Sequence, residues 1–137
     1  MKKTTIFILL IINISAFSQP DTLWTRIYRG ENRAGFEHVI QTHDGGYAFG
    51  GWYHHEDERD RNMFIVRTDL NGNELWTNTF GGDRNDEGHF LNQLADGSFL
   101  LVGGTNSMGG GSTVGYVVRV DSSGEEIWSN TYGGFGF

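Results

Sequence analysis

The chain has 137 residues, with 14 % aromatics, 21 glycines, one proline and no cysteine, so it has neither disulfides nor a lipobox cysteine for N-terminal lipid attachment. Its two lysines are Lys2 and Lys3, and the rest of the chain sets eight arginines against seventeen acidic residues, a formal net charge of −9. That balance argues against a nucleic-acid partner or an anionic membrane surface, where clustered positive charge is expected.

In chain order, residues 1–18 read as a secretion signal. Lys2-Lys3 form the basic region, Ile6 to Ile12 the apolar core, and Ala16 and Ser18 stand at −3 and −1 of a cleavage site before Gln19. The apolar run is too short to span a bilayer comfortably, and no other stretch is a candidate span. The sequence therefore predicts an exported chain with no membrane insertion once the signal is removed.

Residues 19–137 form a repeat region. Trp24, Trp76 and Trp128 recur at a spacing of 52 residues, and the intervening sequence aligns without a gap. Asp44 falls on Asp96, Arg67 on Arg119, Asp69 on Asp121, and Gly72 on Gly124. The units are 24–75 and 76–127, with a partial third at 128–137. A fixed period of this size marks an architecture in which each unit is one supersecondary element that cannot bury its apolar face alone.

Each unit breaks into four strand-sized pieces. The first is Trp24 to Tyr28, repeated as Trp76 to Phe80 and Trp128 to Tyr132. The second is about Phe36 to Thr42, matched by Phe90 to Leu94; the third is Tyr47 to Trp52, matched by Phe99 to Gly103. The fourth is Met63 to Thr68, matched by Tyr116 to Val120. Asp44-Gly45 and Asp96-Gly97 supply tight hairpin turns between the second and third pieces, and Asn71-Gly72 and Ser123-Gly124 do so after the fourth. Apolar runs such as Phe64-Ile65-Val66 suit strands covered on both faces. These features predict an all-β fold of propeller-like blades, each with four antiparallel strands, in two complete blades plus the first strand of a third. A β-sandwich would not explain a gapless repeat. Propellers close with four to eight blades. The expectation is therefore either the N-terminal part of a longer protein, completed by further blades, or several copies that associate into a ring.

Phe80-Gly81-Gly82, Asp86-Glu87-Gly88, the run Asp96 to Ser107, Val117 to Asp121 and Gly124 to Trp128 together resemble the β-propeller repeats of secreted proteins from Bacteroidota-type bacteria. The resemblance covers nearly all of residues 22–137. It implies a Gram-negative source and secretion to the medium, the cell surface or the periplasm. Members of that family often carry a sorting domain for type IX secretion, which this sequence lacks. Asp69, Gly72 and Trp76 distantly resemble the quinoprotein-type propeller repeat, with one residue fewer between Asp and Gly. Gly50-Gly51 and Gly103-Gly104 resemble kelch doublets but are offset by one position in the 52-residue register.

Candidate site residues are each weighed against a structural role. Trp24, Trp76 and Trp128 could stack on a planar ligand, but a bulky aromatic at a fixed repeat position more naturally buries area between units. Arg67 and Arg119 precede Asp69 and Asp121 by two residues, so each pair lies on one strand face, as a ring of channel charges or as a packing contact copied between units. Asp69 to Glu74 hints at a calcium loop, but its glycine is fourth where an EF-hand loop has it sixth. His54, His55, Glu56 and Asp57 are the only cluster with metal-like chemistry. No nucleophile motif or phosphate loop stands out, and no cofactor is implied. The expected function is a non-catalytic binding or scaffold module for an unknown ligand, protein or glycan, held by loops 53–62 and 105–115, which differ between the units. The alternative is part of a secreted hydrolase or oxidoreductase whose catalytic residues lie elsewhere.

Overall fold

The computed structural model describes residues 24–28, 33–54 and 60–134. Eight strands form two four-stranded antiparallel sheets. The first contains β1 (Ala34–Gln41), β2 (Tyr47–His54), β3 (Arg61–Thr68) and β4 (Glu74–Phe80), in that spatial order. The second contains β5 (Asp86–Gln93), β6 (Phe99–Thr105), β7 (Val114–Val120) and β8 (Glu126–Tyr132), again in chain order. No helix occurs among the described residues. The all-β expectation and most strand positions therefore agree with the structure.

The phase of the unit does not. The tryptophan piece closes a sheet instead of opening one. Trp76 pairs with Arg67 on β3, and Trp128 pairs with Arg119 on β7, each on the fourth strand of its own sheet. The Trp24 to Tyr28 piece has no strand assignment at all. The reason lies in the hairpin at 69–73, whose tight turn ties β3 to the strand that follows it. Gly72 and Gly124 take φ values of 75° and 92° there, a region that an L side chain enters only at a cost. The break between sheets is instead the connection 81–85, and Gly81 enters it at φ 141°.

Each sheet carries a bulge at the same place on its first strand, between Phe36 and His38 and between Gly88 and Phe90. Opposite it stand Gly51 and Gly103, one glycine from each doublet and 52 residues apart. A Cβ on Gly51 would collide with the Gly35 carbonyl oxygen, and one on Gly103 with that of Glu87. The doublets are thus offset by one position but share the glycine that the bulge demands.

Register partners on neighbouring antiparallel strands share a face. Ala48, Gly50, Met63, Ile65 and Phe80 face the second sheet, which answers with Leu91, Phe99, Leu101, Tyr116 and Val118. These residues form one core between the sheets, with Ile40 and Trp76 packed against it. The packing is heterologous: the back of the first sheet meets the front of the second. Shifting by 52 residues, Phe49, Phe64 and Val66 on the far face of the first sheet correspond to Leu101, Tyr116 and Val118. On the far face of the second sheet, Leu100, Val102 and Val117 correspond to Ala48, Gly50 and Ile65.

Candidate functional site

Antiparallel order puts all tight turns at one end of the molecule, at 42–46, 69–73, 94–98 and 121–125. The β2–β3, β4–β5 and β6–β7 connections lie at the other end. Repeated charges crowd the turn end, and unrepeated ones the loop end.

At the turn end, Arg67 and Arg119 make a structural contact that is copied between the units, with Asp44 and Asp96 as partners in place of Asp69 and Asp121. Arg67 Nη2 donates to both carboxylate oxygens of Asp44, at 2.6 and 2.5 Å, while Nη1 donates to the Tyr47 and Thr68 carbonyls. Arg119 Nη2 donates to Asp96 Oδ2 at 2.6 Å, and its Nε donates to the Ser98 hydroxyl at 3.1 Å. The Arg67 side chain is only 5 % exposed against 28 % for Arg119, while both partner carboxylates remain largely exposed, at 67 % and 58 %.

Asp69 and Asp121 fold their own turns. Asp69 Oδ1 accepts from the Asn71 and Asn73 amides, both at 2.8 Å, and its Oδ2 accepts from the Asn73 side chain at 2.8 Å. Asp121 Oδ1 accepts from the Ser123 and Glu125 amides at 2.8 and 3.0 Å. Carboxylate oxygens aimed inward at backbone donors make Asx turns, which account for the calcium-like spacing. The Asn73 side chain holds the Asp69 carboxyl below its ordinary value, and the Ser123 hydroxyl does the same for Asp121. Asp44 and Asp96 are lowered first by the Thr42 and Ser98 hydroxyls, with Arg67 and Arg119 adding to the effect.

Trp24 and Trp76 are packing contacts, each seated over the turn glycine of its own 52-residue unit. Trp76 lies over Gly124 and meets Phe99 edge-on at 5.8 Å. Trp24 lies over Gly72 and meets Tyr47 edge-on at 5.5 Å. Of the metal-like cluster, His55, Glu56 and Asp57 fall outside the described residues. His54 ends β2 and stands edge-on to Trp52 at 5.5 Å. Among the described residues no three acidic or histidine groups gather around a common point.

The loop end holds what the sequence did not single out. Asp86 is fully buried at the start of β5, and its Oδ2 accepts from the Gly82 amide at 2.8 Å and the Ser107 hydroxyl at 2.7 Å. Ser107 Oγ in turn accepts from the Arg84 amide at 3.1 Å, and the Asn106 amide donates to the Asn85 carbonyl at 2.9 Å. One buried carboxylate thus stitches the 81–85 connection to the 106–113 loop. Its Oδ1 meets no donor among the described residues, a desolvation cost that the two other bonds must offset. Between the two loops opens a cleft of about 370 Å³, bordered by Asp83, Arg84, Asn106, Ser107, Met108 and Gly111. A smaller cleft of about 170 Å³ adjoins it at Asn85, Glu87, His89 and Thr113. Arg61 closes that side: it lies 4.6 Å from the Trp52 ring centroid and 2.6 Å from Glu87.

The signal for this site was present as a departure from the repeat. Position 86 is Asp where its counterpart 34 is Ala, and position 84 is Arg where 32 is Asn. The variable 105–115 loop borders the larger cleft. The 53–62 loop lies largely outside the described residues. No protein-family model matches this chain, and no curated protein sequence matches it.

Proposed function

We propose that the chain is an exported, non-catalytic binding module built from β-propeller-type units of the kind found in secreted Bacteroidota proteins, and that it holds its ligand at the loop end. The observation that carries this reading is the division of labour between the ends. Polar groups at the turn end repeat every 52 residues and are consumed by internal hydrogen bonds, whereas Arg84 and Ser107 have no repeated counterpart and line a cleft whose two loops buried Asp86 holds together. Repeated residues serve the unit, and residues unique to one loop are free to serve a ligand.

The Arg84 guanidinium is exposed and makes no ion pair with the described acids, so it supplies a planar set of donors beside Asp83, the Met108 side chain and the loop glycines. Donors next to a modest apolar surface suit an extracellular oligosaccharide, above all one bearing carboxylates. A glycan array carrying neutral and uronic-acid oligosaccharides tests this directly. The expected result is retention of acidic glycans, weakened at least tenfold by Arg84→Ala and unaffected by Arg119→Ala at the opposite end. Equal loss from both variants, or binding indifferent to Arg84, would overturn the assignment.

A further inference from the structure

Trp24 and Trp76 occupy the same kind of seat. Trp76 covers Gly124, where an added Cβ would stand 2.8 Å from the indole, and its Nε1 donates to the Ser122 carbonyl at 3.1 Å. Two residues on, Asn78 donates to the Gly124 carbonyl at 2.6 Å. On the first sheet, Trp24 covers Gly72, where a Cβ would stand 2.9 Å from it, and the Tyr28 hydroxyl donates to the Gly72 carbonyl at 2.8 Å. The aromatic below is Phe99 in one seat and Tyr47 in the other, both met edge-on.

The occupants differ in one respect. Trp76 arrives on β4, a strand hydrogen-bonded into the neighbouring sheet, whereas Trp24 arrives on a segment that belongs to no sheet. Residues 24–28 therefore imitate, on the front of the first sheet, what the fourth strand of another sheet does on the front of the second. They also cover its aromatics, with Tyr28 against Phe36 and Phe49 at 6.0 and 5.6 Å, and beneath them Phe64 and Val66 are buried. Trp128 is the third member of the series. It sits on β8, half-buried, with no such seat among the described residues. The face it shares with Leu100, Val102 and Val117 is the counterpart of the face that the first sheet buries against the second, and Phe90 and Tyr132 at its margins are 51 % and 59 % exposed.

We propose that residues 24–28 are a displaceable cap, and that the Trp128 face of one copy docks head to tail on the front of the first sheet of a second copy, with Trp128 taking the Gly72 seat from Trp24. The contact is the existing interface between the sheets repeated in trans, so its geometry requires no new surface. It is heterologous and does not pair a surface with itself, so it extends into rings or open chains instead of stopping at a two-fold dimer. The cap sets the threshold, because apparent affinity falls by the fraction of copies whose seat is free.

Sedimentation velocity over a concentration series reads this out. The Trp24→Ala/Tyr28→Ala variant should associate at a concentration at least tenfold below that of the unsubstituted chain, and adding Trp128→Ala should return it to monomer. A folded double variant that stays monomeric, or whose association ignores Trp128→Ala, would overturn the proposal. A second measurement keeps Trp24 and Tyr28, gives up only the Arg26 hydrogen bond to Asn73 in the cap, and uses the absence of cysteine. Single-cysteine chains Asn73→Cys and Asn130→Cys, both at exposed positions, are mixed and oxidised. Disulfides between unlike chains should exceed those between like chains severalfold and disappear with Trp128→Ala. A statistical mixture would refute head-to-tail docking.

Discussion

Four aspartates, Asp44, Asp69, Asp96 and Asp121, hold the four tight turns, and each does so as a carboxylate. Hydroxyl, amide and guanidinium donors favour the charged form in the folded chain, so their pKa values lie below the ordinary 3.8. For a depressed carboxylate the unfolded chain binds its proton first as pH falls. The stabilisation is therefore fully present above about pH 5, begins to fade as pH drops through the ordinary carboxylate value, and is gone only below the folded-state values. The urea midpoint should fall between about pH 5 and pH 2.5. Asp121→Asn keeps an oxygen for the Ser123 and Glu125 amides but removes the titration, so its midpoint should start lower at pH 7 and fall less. A variant that loses stability in parallel with the unsubstituted chain would show that the Asp121 carboxylate does not contribute to acid unfolding.

At the scale of the strand, the two glycines of the second doublet differ: Gly103 is fixed by geometry and Gly104 is not. Gly103 faces the Glu87 carbonyl across the β5 bulge, and its Cβ would also stand 2.9 Å from Met63 Cε of the other sheet. Gly104 would meet the Thr113 methyl at 3.2 Å, a side chain at a loop edge that can turn away, and the Val114 carbonyl oxygen at an ordinary 3.7 Å. Gly103→Ala should cost about 1–3 kcal/mol, as overpacking of a filled site does, and Gly104→Ala should stay within about 0.5 kcal/mol. Thermal or urea unfolding of the two variants separates them, and equal costs would mean that the bulge can relax. This position also marks the boundary of what the sequence made legible. Strand pieces and turns were readable because alternation and Asp–Gly or Asn–Gly pairs act locally, and seven of the eight strands fall where those signals put them to within a few residues. β5 begins earlier than expected, since Asp86 to His89 carry no apolar run. The grouping of strands was not readable from the period itself, because a perfect repeat has no intrinsic starting point. Only the choice of which connection is tight, 69–73 over 81–85, assigns Trp76 to the preceding sheet. The loop-end site was obscured for the opposite reason: Asp86 and Arg84 stand out only as breaks in the pattern, and repeat reasoning looks for matches.

Among the described residues, one core lies between the sheets, and it belongs to neither sheet alone. Met63 and Ile65 from β3 and Leu91, Leu101 and Val118 from the second sheet are all fully buried in it. Neither sheet could keep its strands dry without the other, since each offers only one face to this layer and a lone four-stranded sheet leaves its apolar face to water. Stability should therefore be shared. Leu91 tests this best. It is a second-sheet residue at the middle of the layer, and Gly50 of the first sheet lies so close that a Cβ there would meet the Leu91 Cβ at 3.3 Å. Leu91→Ala should destabilise by about 2–4 kcal/mol, which speeds exchange of globally protected amides by roughly 30- to 1000-fold. The shared core requires that acceleration to be the same for amides of β3 as for those of β7, although β3 lies in the other sheet. If only β7 amides lost protection, the two sheets would be separate folding units joined at 81–85, and the Trp76 contact to the second sheet would be a hinge instead of part of one layer.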